Sequence, residues 1–533
     1  MIQNPILRGF NPDASIIQVG DDYYIATSTF EWMPGVEIYH SKDLINWEIV
    51  SEPLNDLKNV NLRGNYNSGS IWAPHLSYSD GRFWLIYTDV KTRTQFKDTL
   101  NYVISAKKIT GPWTDPVFVT ASGFDPAFFH DDDGKHYFLN MLYDHRVGNK
   151  KFAGLVMQEF DIKSMKLIGK RENFYVGTDL GVCEGPQMMK KDNYYYLLCA
   201  AGGTGYSHAA TVSRSKNIWG PYETSPYHPL MTTKDAPESP IQKAGHASFV
   251  KKGEEWFIVH IMARPLTLQR GRCTLGRETG LQKIEWIEDW PILANGTHYP
   301  DEVIAAPKGL ENVVQRKNYS EFCDFSTGKL PWSFKTLRHS MKGTLSFVKA
   351  TGSLRLYGAQ SLSSLHEQTL IARRWQAHQF KAEAKMSFSP NNFQQMAGLI
   401  LFYDTENWQY LFVSYDEKTK KKYIQLEVCD GNVCSYYSDE VILQNREQPV
   451  KLSVEVDRDK AHFSYALDGE PFVKIGIPTP ADHLSDDYVR EKGGMPFTGA
   501  MVGLCAQDMD DHSSYADFQY FDYQEKKKAK NEF

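Results

Sequence analysis

The sequence predicts an all-β protein: a five-bladed β-propeller followed by a β-sandwich. Three observations support this fold class. A hairpin signal recurs at nearly even spacing through residues 1–300, an acidic residue recurs at a fixed distance before it, and strand-like alternation fills the rest of the chain. A chain of 533 residues also exceeds a usual single domain, so two domains are expected.

The hairpin signal is a polar turn followed by an aromatic and β-branched run. It begins at Asp21, Asp80, Asp133 and Asp192, and a looser fifth copy begins at Lys252. The successive spacings are 59, 53, 59 and 60 residues, which leave room for about four strands in each unit. We therefore predict five blades. The alternative is a β-sandwich in which the similarity between these segments arises by chance.

The recurring acids stand eight residues before these turns. That position holds Asp13, Trp72, Asp125 and Glu184 in the first four repeats and Ala244, followed by Gly245 and His246, in the fifth. Equivalent positions on the innermost strands of a propeller converge on its axis, so the register predicts three carboxylates, a Trp and a His around one cavity. One such acid taken alone is better explained as a turn residue than as a functional residue. Bringing three carboxylates together is unfavourable, because the like charges repel each other and lose contact with water, and it raises the pKa of at least one of them. A protein that keeps such a cluster usually uses it, so the register indicates a functional site.

Composition excludes several classes of protein. The net charge of −6 and pI near 6.3 argue against a nucleic-acid partner. No apolar run is long enough to cross a membrane, and the first residues lack the pattern of a signal peptide, so a cytoplasmic location is expected. The seven cysteines are scattered without metal-ligand spacing and fit reduced thiols better than a disulfide framework.

An ordered set of motifs resembles glycoside hydrolase family 43, and within it the β-xylosidases with a C-terminal β-sandwich. The motifs are NPDAS, SIWAPH, GFDPAFF, CEGPQ, GHAS, LGRET and FTGAMVGLCAQD, and they span nearly the whole chain. The resemblance implies that Asp13 is the general base and Glu184 the general acid. It implies that Asp125 raises the pKa of the acid and orients it, and that the reaction inverts the anomeric centre. Spacing alone leaves open which acid is which.

The resemblance also implies a supporting set of residues. Arg277 lines the pocket, His246 lies beneath the sugar, and Trp72 and Phe30 are candidate walls for stacking; the alternative for both aromatic residues is a place in the core. Some relatives hold a cation, often calcium, around this histidine. No calcium-type carboxylate loop is visible, so no metal is assigned and no cofactor is required.

The remainder of the chain is predicted as a linker at 301–320, a β-sandwich domain at 321–525 and a disordered charged tail at 526–533. By resemblance the sandwich is a lectin-like jelly roll. Phe497 matches a phenylalanine that closes the pocket in the resembled enzymes. The alternatives are that the sandwich is an independent sugar-binding module and that Phe497 is buried within it.

These observations lead to a functional hypothesis. The protein is expected to be an exo-acting inverting hydrolase that releases xylose from β-1,4-xylo-oligosaccharides, with side activity on α-L-arabinofuranosides. One rival is an α-L-arabinofuranosidase or arabinanase, a second is a non-catalytic glycan-binding propeller, and a third is a retaining fructan-type hydrolase. The expected partner is a small oligosaccharide, and a homo-oligomer is suggested only by analogy.

Overall fold

The fold is described from a computed structural model that covers residues 1–444 and 447–526. Contacts divide the chain into two compact units. The first comprises residues 1–60, 69–271 and 277–315, and the second comprises 61–68, 272–276 and the chain from Arg316 onward. Residues 301–315 of the predicted linker thus lie in the first unit, whereas residues 527–533 of the predicted tail lie outside the described residues.

The first unit is a β-propeller of five antiparallel sheets, as predicted. Blade 1 contains Ser15–Val19, Asp22–Thr27, Glu37–Ser41 and Glu48–Ser51; blade 2 contains Ser70–Ser79, Arg82–Val90, Thr99–Ala106 and Val117–Thr120; blade 3 contains Gly123–His130, His136–Tyr143, Phe152–Asp161 and Lys166–Tyr175; blade 4 contains Cys183–Lys191, Tyr194–Ala201, Ala209–Ser215, Glu223–Thr224 and Met231–Thr232; blade 5 contains Gln242–Lys252, Glu255–Ala263, Glu278–Ile287 and Trp290–Leu293. A short strand, Trp32–Met33, lies within the loop after the second strand of blade 1.

The predicted turns fall where the sequence places them. Each of the five hairpin signals joins the first and second strands of a blade, and the turn residues Asp80, Asp192 and Gly253 have positive φ values of 53°, 53° and 59°. The first strand of every blade packs against the first strands of both neighbouring blades, which closes a ring around a central axis. The register of the repeat therefore determines which side chains face that axis.

The first residues of the chain pair with the segment that follows blade 5 and so close the ring. Strand Ile2–Gln3 pairs with Val303–Ile304, so the N-terminus is held against the end of blade 5. The buried Asn4 strengthens this closure: its Nδ2 donates to Leu281 O and Asp301 O, both at 2.9 Å, and its Oδ1 accepts from Leu281 N at 2.8 Å. Blades 1 and 5 are therefore joined by hydrogen bonds as well as by packing.

The second unit contains two antiparallel sheets. One runs in the order Leu345–Val348, Ser353–Tyr357, Tyr515–Glu525, Gln379–Phe388, Val450–Asp457, Lys460–Leu467 and Val473–Lys474, with Glu321–Asp324 and Thr479–Pro480 at its side; the other runs in the order Val433–Tyr436, Lys421–Asp430, Asn407–Asp416, Gln395–Asp404, Met501–Asp508, Thr369–Arg374 and Lys335–Leu337, with Val441–Leu443 beside its second strand. Strand Gln379–Phe388 alternates strictly between half-buried and buried residues, as a strand with one face on a core must.

One hydrophobic core lies between these two sheets. Phe380, Leu452 and Phe518 from the first sheet pack in the same cluster as Leu401 and Leu411 from the second. The predicted β-sandwich is confirmed. The described residues contain a single α-helix, Asp486–Glu491, which Ser485 caps by accepting from Tyr488 N, and two 3₁₀ turns at Phe325–Thr327 and Ala481–His483.

Across the described part of the chain, no helix has the length and apolar character needed to span a membrane.

Candidate active site

The first strands of blades 2 to 5 depart from regular β geometry at one shared level. The ladder register shifts between Trp72 and His75, between Phe124 and Ala127, between Glu184 and Gln187, and on both sides of Gly245. Positive φ values occur at the same level, at Asp13 (57°), Ala73 (21°), Asp125 (53°), Gly185 (56°) and His246 (39°). We call these five residues the bulge ring. Bulges re-aim side chains, and strained backbone concentrates at functional positions.

Asp13 lies just before the first strand of blade 1 and is enclosed by cationic and polar groups. Arg277 Nη1 donates to its Oδ1 at 3.0 Å, Ser28 Oγ donates to its Oδ2 at 2.6 Å, and His246 Nδ1 lies 3.7 Å from Oδ1. Burial acts to raise the pKa of Asp13. The Arg277 charge, His246 and the Ser28 hydrogen bond outweigh burial, so the pKa of Asp13 is lowered. Asp13 is therefore an anion at neutral pH.

Glu184 has the opposite electrostatic character. Enclosure by protein raises its pKa first, the nearby Asp13 charge raises it further, and Arg277 only partly opposes them, which gives a pKa of about 7. The side chain keeps partial solvent exposure. The site thus pairs a carboxylate that is ionised at neutral pH with a carboxyl group that is still partly protonated there.

Asp125 is buried beside both of these acids. Burial raises its pKa well above the usual range, repulsion from Glu184 and then from Asp13 adds to this, and Arg277 and the Gly185 backbone N–H act in the opposite sense. The hydrogen bond from Gly185 links Asp125 to the residue that follows Glu184. Asp125 and Glu184 are therefore a coupled pair, with both pKa values raised by burial and repulsion.

His246 lies on the axial side of blade 5, packed against the backbone of blade 4. A Cβ placed on Gly185 would be 2.6 Å from His246 Cε1, so only glycine leaves room for the ring. Burial lowers the pKa of His246, although Asp13 partly opposes this. The ring is therefore neutral at neutral pH and offers Asp13 a polar neighbour.

His208 is a site residue that the sequence analysis did not identify. It is buried, it helps to lower the pKa of Asp13, and its ring packs on Gly245, where a Cβ would be 2.6 Å from His208 Cγ. Burial lowers its own pKa to about 3, so the neutral ring uses Nδ1–H to donate to Lys243 O at 3.0 Å. Ser28 was missed as well. Both lie outside the eight-residue register, and no local pattern distinguishes them.

Aromatic side chains form a continuous wall beside the acids. Phe30 and Trp72 have ring centroids 6.4 Å apart, Trp72 meets Phe124 edge-on at 5.3 Å, and the Arg277 guanidinium lies 5.5 Å from the Phe30 centroid. The structure thus brings the two predicted aromatic residues together with Arg277. Phe124 was not identified, although it directly precedes Asp125 in the quoted GFDPAFF motif.

Phe497 belongs to the second unit, unlike the other predicted site residues. It is half-buried, and its backbone N–H donates to Ser68 Oγ at 3.1 Å, within the segment 61–68 of the same unit. Its role as a pocket wall stays a prediction.

Among the described residues, one group of three side chains that could ligate a metal lies close together: Cys273, Asp486 and Asp487, in the second unit. Cys273 N–H donates to Asp487 Oδ2 at 2.9 Å there. His246 is not part of that group, and the cation that the resemblance implies for some relatives near this histidine stays untested.

Comparison with known proteins bears on this arrangement. The family model described as glycosyl hydrolases family 43 matches residues 2–291. The chain belongs to this family. A second model, described as the beta xylosidase C-terminal concanavalin A-like domain, matches residues 323–524 of the family 43 enzyme.

Individual relatives align with the family 43 enzyme over its length. A protein named beta-xylosidase from Bacillus subtilis (strain 168) is 45% identical over 98% of this chain and 100% of its own. One named xylosidase/arabinosidase 43B from Humicola insolens is 43% identical over 98% and 97%. The crystal structure of xylan beta-1,4-xylosidase from Bacillus halodurans C-125 superposes with a TM-score of 0.94, at 45% identity over 98% of this chain and 100% of that one.

Proposed function

We propose that this family 43 enzyme is an exo-acting inverting β-xylosidase that releases xylose from the non-reducing end of short β-1,4-xylo-oligosaccharides. The observation that carries the proposal is the separation of pKa values: Asp13 is held below its usual pKa and Glu184 is raised to about 7, within one buried cluster. Full-length similarity to proteins named β-xylosidases supports the choice of substrate.

The proposed mechanism follows from this separation. Asp13, ionised and held by Arg277 and Ser28, accepts a proton from the water that attacks the anomeric carbon. Glu184, protonated, donates its proton to the leaving glycosidic oxygen as the bond breaks. Attack and departure occur on opposite faces of the sugar in one displacement, so the configuration inverts. Asp125 is a positioning residue, since its charge state is coupled to that of Glu184.

A test that separates the two roles compares leaving groups. Glu184→Gln removes the proton donor, so kcat/KM for xylobiose should fall about 10³-fold or more. The loss for p-nitrophenyl β-D-xylopyranoside should be smaller, because nitrophenolate departs without a proton. Asp13→Asn should lose both activities by a similar factor. Glu254→Gln, at an exposed residue of blade 5, is the matched control and should keep both.

Product analysis tests the remaining parts of the proposal. Early products of xylotetraose should be xylose and xylotriose, and proton NMR should detect the α-anomer of xylose first. Xylobiose as the main early product would indicate an endo enzyme, and β-xylose formed first would indicate the retaining rival.

Activity on α-L-arabinofuranosides is a second candidate, supported by the relative named xylosidase/arabinosidase. We expect p-nitrophenyl α-L-arabinofuranoside to be hydrolysed with a lower kcat/KM than the xyloside, and both to depend on Glu184. A preference for the arabinofuranoside would reassign the main substrate while leaving the acid and base roles intact.

A further inference from the structure

Two cysteines face each other across a tight hairpin at the edge of the second unit's sandwich. Strands Lys421–Asp430 and Val433–Tyr436 pair so that Cys429 stands directly opposite Cys434. Gly431 and Asn432 form the turn with φ values of 59° and 67°. Positive φ at both central residues is the mark of a two-residue type I′ turn, which fixes the register of the strands.

This register places the two side chains at the distance that a disulfide needs. In a two-residue hairpin the pair that closes the turn, here Asp430 and Val433, is the hydrogen-bonded one, so the next pair is not. Non-hydrogen-bonded pairs have Cα atoms about 4.5 Å apart and the closest side chains. Disulfides accept Cα separations of about 4.4–6.8 Å. The Cys429 and Cys434 thiols lie close enough for each to influence the pKa of the other.

Access to the pair is asymmetric. Cys434 is exposed, whereas Cys429 is buried. A second pair of neighbouring thiols, Cys183 and Cys199 in blade 4, offers a contrast: both are buried, and they are not register partners, because Cys183 stands opposite Ala201. Only the hairpin pair combines a direct cross-strand position with one sulfur that an external reagent can reach.

We propose that Cys429 and Cys434 are a redox modification site, which closes to an intramolecular disulfide by exchange with a small disulfide such as glutathione disulfide. The Cys434 thiolate attacks one sulfur of glutathione disulfide, which forms a mixed disulfide and releases one glutathione thiolate. The Cys429 thiolate then attacks the Cys434 sulfur and releases the second glutathione. The protein loses two protons and two electrons, and one glutathione disulfide becomes two glutathione molecules.

The environment of the thiols indicates how this exchange behaves. Burial raises the pKa of Cys429 and of Cys434, so few thiolates exist at neutral pH and closure is slow. The same property makes both thiolates poor leaving groups, so the finished disulfide resists reduction. The reaction should therefore quicken as pH rises.

The experiment equilibrates the full-length protein, at mildly alkaline pH, with mixtures of glutathione and glutathione disulfide. Approach from both the reduced and the pre-oxidised protein establishes equilibrium. After acid quenching, free thiols are alkylated in denaturant and the protein is digested with trypsin. Both cysteines fall in one peptide, residues 423–446, because trypsin cuts after Lys422 and Arg446. We expect this peptide to lose two hydrogen atoms and escape alkylation as the disulfide fraction rises, so free thiols fall from seven to five.

The controls use the same digest. Cys429→Ser should leave Cys434 as a mixed disulfide with glutathione, and Cys434→Ser should leave Cys429 as a free thiol that is alkylated in denaturant. The peptides that carry Cys183 and Cys199 should stay reduced in every mixture. Two outcomes would overturn the proposal in the wild-type protein: peptide 423–446 keeping two alkylated cysteines at the most oxidising ratio, or a Cys434 mixed disulfide that persists without closing.

Discussion

Asp13 and Glu184 show how one cluster of side chains can hold two carboxyl groups in different charge states. Arg277, Ser28, His246 and His208 all favour the anion of Asp13, whereas Glu184 has burial and the Asp13 charge against its own ionisation. The asymmetry arises from neighbours and not from the acids themselves. It leads to two expectations about pH.

The first expectation concerns the acid limb of the pH–rate profile. Ser28→Ala removes the 2.6 Å hydrogen bond to Asp13 Oδ2, so the pKa of Asp13 should rise. Activity requires ionised Asp13 and is lost as pH falls through this pKa, so the acid limb of kcat/KM should move to higher pH by about one unit or less.

Ser77→Ala, at another buried serine of the propeller, is the control and should leave the profile in place. The alkaline limb, near pH 7 from Glu184, should not move in Ser28→Ala. A fall in kcat with an unshifted acid limb would show that Ser28 acts on the site by another route.

The second expectation concerns stability. The pKa of Glu184 is about 7 in the folded protein against 4.5 for the unperturbed group. The folded state therefore binds this proton more tightly, and the stability that the proton confers is complete below pH 4.5 and lost as pH rises through 7. Glu184→Gln removes this loss, so above pH 7 the variant should be more stable than the wild type by up to about 3 kcal/mol.

Denaturant unfolding at pH 5 and pH 8 measures the effect. The advantage of Glu184→Gln should grow between the two pH values, whereas Glu254→Gln should show no such trend. An advantage of equal size at both pH values would mean that packing, and not ionisation, distinguishes the variant.

The repeat in the blades determines which parts of the propeller and of the acid cluster the sequence could predict. Asp21, Asp80, Asp133 and Asp192 all lie at turns between first and second strands, because a tight turn needs its chemistry at a fixed place in every repeat. The eight-residue register from those turns then leads to Asp13, Asp125 and Glu184. Ser28 and His208 reach the site from other strands and loops, so tertiary packing alone brings them there. The bulge ring could not be predicted either, because its irregular backbone occurs at Ala, Asp and His as well as at Gly, so no residue type marks it in the sequence.

A matched pair of glycines tests the bulge ring. Gly185 and Gly253 have φ values of 56° and 59°, but a Cβ at Gly185 would be 2.6 Å from His246, whereas nothing lies within 4 Å of one at Gly253. Each change to Ala should cost about 1–2 kcal/mol of stability for the left-handed backbone. Only Gly185→Ala should also lower kcat/KM, by about tenfold or more, since it displaces His246 and the hydrogen bond from Gly185 to Asp125.

Denaturation midpoints and kcat/KM on the xyloside, measured on both variants, separate the two contributions. Equal loss of activity in Gly253→Ala would assign the effect to general destabilisation and would remove any special role for the Gly185–His246 contact.

The whole propeller is closed by contacts between residues that are far apart in the sequence. Asn4 makes three hydrogen bonds to Leu281 and Asp301, and it is buried. Asn4→Ala leaves those groups without their partner and should lower the free energy of unfolding by about 2–4 kcal/mol. Gln3→Ala, at the exposed neighbouring side chain, is the control and should change stability by about 0.5 kcal/mol or less.

Denaturant titration followed by tryptophan fluorescence measures both variants. Equal midpoints for Asn4→Ala and the wild type would show that the Asn4 side chain adds nothing measurable to the backbone pairing and packing that join blades 1 and 5. The sequence analysis predicted the ring but not this closure, because the strands Ile2–Gln3 and Val303–Ile304 are too short to give a strand pattern.

The same closure sets an order of events on the ribosome. Ile2 pairs with Ile304, so the first strand must wait for a partner that is synthesised 302 residues later. At about 5–20 residues per second, this wait lasts about 15–60 s. The nascent ring therefore stays open until the fifth blade has emerged, and only then can Arg277 of blade 5 reach Asp13 of blade 1. Asp13 consequently gains the cation that holds it ionised only at the last stage of propeller assembly.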